Sequence, residues 1–215
     1  MNVFQPTQSK PEEIPQSPRR FAKYLTFVFN NFLVGALTCI IFYLSLVGSS
    51  LPTLDHDRPA VKRAIALLEK KGFDREVFLL KRVVSFRSTD NWLNSFNQSE
   101  NAFASTNFPF GIITVYPDFY SRATDDTERA MILLHEAQHL QGKTEHEAYS
   151  YVWRNRKRLG WTQLSHGTTE TYITIADQTR EYAPDLFTCK TKIYNDCTEE
   201  FNVKTVVASK TGNRE

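Results

Sequence analysis

From Leu25 to Gly48 the chain runs for 24 residues without one formal charge. A helix needs about 20 apolar residues to cross the hydrocarbon core of a bilayer, so this run is long enough to span it. A core helix of a soluble protein with such a composition is usually shorter and keeps a polar face. A cleaved signal peptide has an apolar core of about 7–15 residues, which this run exceeds, although Val47-Gly48-Ser49 offers the small residues of a cleavage site. The reading that fits is an uncleaved signal anchor over 25–48. Arg19, Arg20 and Lys23 crowd its N-terminal side, whereas Asp55 and Asp57 precede Arg58 on the other. The positive-inside rule then places residues 1–24 in the cytoplasm and 49–215 outside it. Residues 1–24 open with Pro6, Pro11, Pro15 and Pro18 among polar side chains, the composition of a flexible tail. Asn30 and Asn31 are the costly residues of the span, close to its start.

The remainder, 49–215, is the length of one domain. At 41% hydrophobic and 23% charged the chain can bury a core, which excludes wholesale disorder. A formal net charge of +2 provides no electrostatic footprint for nucleic acid. Sixteen Phe and nine Tyr suit a packed α+β domain. Cys39 falls within the apolar run; Cys189 and Cys197 could close a disulfide outside the cytoplasm or remain two free thiols.

Pro59 opens a helix to about Lys71, with Val61, Ala64, Ile65, Leu67 and Leu68 on one face and Gly72 as its stop. The β-branched and aromatic residues between Glu76 and Phe86 predict a strand. Residues 88–110 read as loop with a short helix at Trp92-Leu93, and 111–116 as a strand ended by Pro117. Thr124-Asp125-Asp126 offers N-cap chemistry for a helix over 126–141. Residues 169–183 fit helix or strand, and 201–207 alternate like a strand.

The helix over 126–141 contains His135-Glu136-Ala137-Gln138-His139. Two His four residues apart share one helix face, which suits two imidazoles meeting one Zn²⁺. Glu136 is rotated by one residue, so its carboxylate can reach a water at the metal without occupying a coordination position, as a general base must. A catalytic zinc wants a third protein ligand and one open position. Gly142 lets the chain leave the helix, and Thr144 can cap a second helix beginning Glu145-His146-Glu147-Ala148. Glu145, His146 and Glu147 all compete for the third place. Thr144 and Glu147 make a capping-box pair, which occupies the Glu147 carboxylate. Glu145 lies on the first turn, where it can face back toward both imidazoles, and is the preferred ligand.

This stretch resembles the active-site helix of zincin metallopeptidases. Glu145-His146-Glu147-Ala148 is similar to the gluzincin Glu-x-x-Ala pattern, while residues 135–145 reproduce the metzincin spacing His-Glu-x-x-His-x-x-Gly-x-x-ligand. Both select Glu145. The departures are the absence of a metzincin Met-turn, Met1 and Met131 being the only methionines, and a gap to the Glu much shorter than in gluzincins. The resemblance covers about residues 111–153. It implies an α+β, zincin-like domain with a small mixed sheet, holding Zn²⁺ on His135, His139 and Glu145. It also implies hydrolysis of a peptide or amide bond with Glu136 as base, the substrate being a peptide, a protein or a peptidoglycan-like crosslink. Zincins often add a downstream His or Tyr for the oxyanion. His166 is the candidate by residue type; Tyr172, Tyr182 and Tyr194 are unranked. The strand over 111–116 resembles in position the sheet edge along which zincins bind extended substrate.

The alternative is a zincin-fold binding or signalling module whose metal only stiffens two helices. Intact Glu136 argues against it, since a structural site has no use for that carboxylate. Arg154, Arg156, Lys157 and Arg158 read as the solvated end of the second helix, or as a contact for anionic lipid or cell-wall polymer. Trp153 and Trp161 read as core.

Overall fold

The computed structural model describes residues 18–96, 102–190 and 195–198. The chain divides into two compact units, meeting between Ser45 and Leu46. Helix α1 (Pro18–Gly48), which belongs to the first unit up to Ser45, contains a stretch, Ala22–Gly48, of mean hydropathy 2.0, long and apolar enough to cross a membrane. At 1.5 Å per residue it measures about 40 Å. Several of its polar side chains donate to its own backbone. Thr26 donates to the Ala22 carbonyl at 2.9 Å, Asn31 to Phe27 at 2.7 Å and Thr38 to Val34 at 2.9 Å. That is the arrangement by which a helix carries such groups without water.

The second unit is α+β. Helix α2 (Arg58–Lys70) has Pro59 in its first turn and buries Val61, Ala64, Ile65 and Leu68, the expected face. Residues expected as a strand instead form helix α3 (Asp74–Arg82). Asp74 and Glu76 lie in its first turn and Lys81 and Arg82 in its last, which complements the helix dipole. Burial of Glu76, Val77 and Leu80 at helical spacing outweighs the strand preference of Val77 and Phe78. Only β1 (Ser85–Arg87) keeps the extended form.

A 3₁₀ turn (Asn94–Phe96) follows, then β2 (Ala104–Asn107), which falls within the expected loop, and β3 (Ile112–Val115). The sheet order is β1-β3-β2, β1 parallel and β2 antiparallel to β3. All four β3 residues are buried. The strand expected at the sheet edge is therefore the central one, and β1 and β2 are the edge strands.

The short α4 (Pro117–Ser121) leads to α5 (Asp126–His139), which packs against α2 and α6 (Glu145–Leu159). Ala130, Met131, Leu133, Leu134 and Ala137 of α5 are fully buried and form the centre of the core. The chain closes with α7 (Gln163–His166), α8 (Glu170–Tyr182) and a second 3₁₀ turn (Pro184–Phe187). Cys189 and Cys197 form a disulfide. Trp153 and Trp161 are buried, edge to face with ring centroids 6.1 Å apart.

The basic run is not uniformly solvated. Arg156 lies over the Trp153 ring and donates to Asp196 Oδ2 at 2.8 Å, both side chains no more than 5% exposed. Arg158 covers the Phe73 ring and donates to the Gly72 carbonyl. The strand expected over 201–207 and Tyr194 lie outside the described residues.

Candidate metal centre

The site begins with how α5 starts and stops. The Asp125 carboxylate accepts from the backbone N–H groups of Thr127 and Glu128 at 2.8 and 2.9 Å, an N-cap. At the other end Gly142 takes φ +73°, with its N–H bonded to the His139 carbonyl and that of Lys143 to the Gln138 carbonyl. This pair of bonds is a Schellman closure. Thr144 then caps α6 with Glu147 in a reciprocal capping box. The five residues 140–144 fold the first turn of α6 back over the last turn of α5.

That reversal brings Glu145 to the two imidazoles. His135 Nε2 and His139 Nε2 are 2.9 Å apart; Glu145 Oε2 is 3.3 Å from the first and Oε1 is 3.4 Å from the second. Among the described residues these three form the His/Cys/Asp/Glu group able to hold a metal ion. Donors about 2.0–2.1 Å from one tetrahedral ion stand about 3.3–3.4 Å from each other. Both carboxylate separations already have that value, and the imidazole pair needs to open by about 0.4 Å. The His139 Nδ1–H donates to the Lys143 carbonyl at 2.9 Å, which turns Nε2 toward the centre.

The other two candidates for the third ligand face elsewhere. His146 is exposed and pairs through Nε2 with Asp185 at 2.8 Å. The Glu147 carboxylate accepts from Thr144 N and from Lys143 Nζ, at 2.9 and 2.8 Å.

Glu136 stands beside the triad without joining it. It is buried, and its Oε2 accepts from the Thr106 hydroxyl of β2 at 2.7 Å. A cavity of about 370 Å³ opens over the site; the triad, Glu136 and β2 residues 104–106 line it, and Phe103, Met131 and Ile175 are part of its apolar wall. Tyr149 lies against His135, ring centroids 4.4 Å apart, and Tyr182 stacks on Tyr149 at 5.2 Å.

The charges are strongly coupled. The two imidazoles hold the Glu145 carboxyl far below the usual carboxylate range, against its partial burial. Burial opposes charge on His139, but Glu145, Glu136 and the Lys143 carbonyl push it up to about 9. Burial, Glu145 and Glu136 raise the Tyr149 hydroxyl, so it stays protonated.

His166 is not brought to this centre. It is buried at the opposite end of α5, with Nε2 3.1 Å from Asp125 Oδ2 and Nδ1 bonded to Ser165. Tyr172 is core, packed on Trp161. Of the tyrosines weighed from sequence, Tyr182 reaches the cavity. Thr106 and Tyr149 join the site without standing out by motif. Tyr149 had a readable signal, one turn beyond Glu145 on the same helix face; Thr106, in a polar stretch, had none.

No family model, curated protein or solved structure matches the chain.

Proposed function

We propose that this chain is a membrane-anchored zinc metallopeptidase that cleaves a peptide or amide bond. The observation that carries the reading is the convergence of His135, His139 and Glu145 at metal-ligand spacing, with Glu136 beside them as a fourth group that is not a ligand. Two imidazoles and one carboxylate are the donor set of a catalytic zinc with one position left open. When bound there, zinc supplies Lewis acidity toward a carbonyl oxygen and makes water more acidic.

The chain's own residues do the rest. The Glu136 carboxylate takes one proton from the attacking water and returns it to the leaving amine nitrogen. Thr106 holds that carboxylate in place through the transfer. Lys143, through its carbonyl, fixes the His139 tautomer. The edge strand β2 offers its backbone at the cavity, so an extended substrate can add as a further strand. That role passes to β2 from the central β3. Protein, peptide and peptidoglycan-like crosslinks all present the required amide.

The anchor reading rests on Ala22–Gly48, with Arg19, Arg20 and Lys23 on the cytoplasmic side. The Cys189–Cys197 disulfide supports an oxidising compartment for the second unit.

The test is hydrolysis of a mixed peptide library, and of peptidoglycan fragments, by the full chain in detergent. Glu136→Gln is expected to keep about one zinc per chain and to lose cleavage by 10²-fold or more, on the order of a general base's contribution. Undiminished cleavage by Glu136→Gln overturns the mechanism, and a wild type that binds zinc without hydrolysing any amide overturns the enzyme reading.

A further inference from the structure

The two helices that carry the triad are joined in the interior by a side chain from a third. Glu76, on α3, is 6% exposed. Its Oε1 accepts from Gln138 Nε2 at 3.3 Å and from the Tyr151 hydroxyl at 3.0 Å. Gln138 is buried on α5, immediately before His139. Tyr151 is on α6, six residues after Glu145. One oxygen thus bridges the helix of two proposed ligands and the helix of the third. The Tyr151 hydroxyl is pushed up to about 12, by burial first and by its bond to Glu76, so it remains a donor.

A carboxyl group in an interior is unfavourable unless hydrogen-bonded, and an apolar side chain of similar volume would serve packing as well or better. What an apolar residue does not supply is a directional bond from one atom to both Gln138 on α5 and Tyr151 on α6, which ties the register of the two helices. That register decides whether the Glu145 oxygens stand 3.3 and 3.4 Å from the imidazole nitrogens. Glu145 starts α6 after a short reversal, so a slide of about 1 Å between the helices would move its carboxylate off the common point.

We propose that Glu76 is a positioning residue for the metal triad, holding α5 and α6 at the spacing at which the three ligands converge. This rests on the metal-centre reading above. Loss of groups that orient metal ligands typically costs about 10–100-fold in affinity.

The test uses the full chain and Co²⁺ alone, followed by its d–d absorption, with Zn²⁺ competition to obtain affinities. The variants are Glu76→Leu, Glu76→Gln and Tyr151→Phe, with Leu68→Ala on α2 as a core control, all at a temperature where circular dichroism shows them folded. Glu76→Leu is expected to weaken Co²⁺ and Zn²⁺ binding by about 10-fold or more and to shift the d–d bands. Glu76→Gln keeps an acceptor oxygen and is expected to recover most of both; Tyr151→Phe falls between. Leu68→Ala is expected to lower Tm while leaving bands and affinity as in the wild type. Should Glu76→Leu fail to fold, the Tyr151→Phe and Glu76→Gln pair decides. Affinities within about twofold of wild type with unchanged bands overturn the proposal, as does an equal loss of metal in Leu68→Ala. Co²⁺ uptake by the wild type is read first: its absence removes the centre itself, a failure distinct from that of Glu76 alone.

Discussion

The Thr106 hydroxyl donates to Glu136 Oε2 at 2.7 Å across thirty positions of sequence, joining the edge strand to the helix that carries the two histidines. A carboxylate with the base role proposed for Glu136 must be aimed, and Glu136 is held by a strand as well as by its own helix. Thr106→Val keeps the shape and removes the donor. It is expected to reduce kcat/KM about tenfold with zinc content unchanged, and Thr106→Ser is expected to restore most of it. Steady-state kinetics with metal analysis of the same samples checks this.

Gly142 takes a left-handed φ of +73°, and a Cβ there would meet the Phe108 ring at 3.4 Å. The backbone angle penalises a side chain, while the ring contact is ordinary van der Waals packing. Gly142→Ala is expected to cost about 1–2 kcal/mol in denaturant unfolding. Because the turn sets where α6 begins, zinc affinity is expected to fall as well, which a competition titration reads.

Asp125 ties the start of α5 to His166. Burial works against its charge, but the Glu128 N–H, the His166 imidazole and the Thr127 N–H outweigh this and hold its carboxyl below the ordinary value. A carboxyl depressed in the folded state adds stability above its unfolded pKa and loses it as pH falls through the folded one. Asp125→Ala is therefore expected to cost about 1 kcal/mol at neutral pH, the worth of an N-cap. The gap between variant and wild type is expected to close below about pH 4, as read from Tm against pH. His166 acts here as a partner in a helix cap, so His166→Gln is expected to change Tm and leave zinc content as it is.

The ion pair of Arg156 with Asp196 lies in the core, and Trp153 Nε1 donates to the same carboxylate oxygen at 2.8 Å. Removing one member leaves the other buried without its counter-charge. Asp196→Ala is expected to destabilise by about 3–5 kcal/mol, whereas replacing both residues with apolar ones of matching volume costs far less. Chemical denaturation of the two variants distinguishes these outcomes.

The parts legible in the sequence were those set by short-range chemistry. The apolar run, the His135–His139 spacing, the Gly142 exit and the Thr144–Glu147 capping box each follow from neighbours within about one or two helical turns, and together they selected Glu145. What could not be read depended on distant partners. Val77, Phe78, Val83, Val84 and Phe86 favour a strand between Glu76 and Phe86, yet burying Val77 and Leu80 beside Glu76 makes residues 74–82 helical. β2 exists because Ala104–Asn107 pair with Ile112–Val115, which a polar composition does not announce. Arg156 looked solvated because Asp196, forty positions on, was invisible to local pattern. His166 was chosen by residue type alone, and type does not say which end of α5 a histidine meets.

The central claim is that His135, His139 and Glu145 bind one zinc ion together. Zinc K-edge X-ray absorption on the purified full chain tests it most directly. The expected result is about one zinc per chain, a first shell of nitrogen and oxygen at about 2.0–2.1 Å with two imidazole scattering signatures, and loss of that shell in Glu145→Ala. A sulfur shell at about 2.3 Å, or an unaltered spectrum in Glu145→Ala, would contradict it.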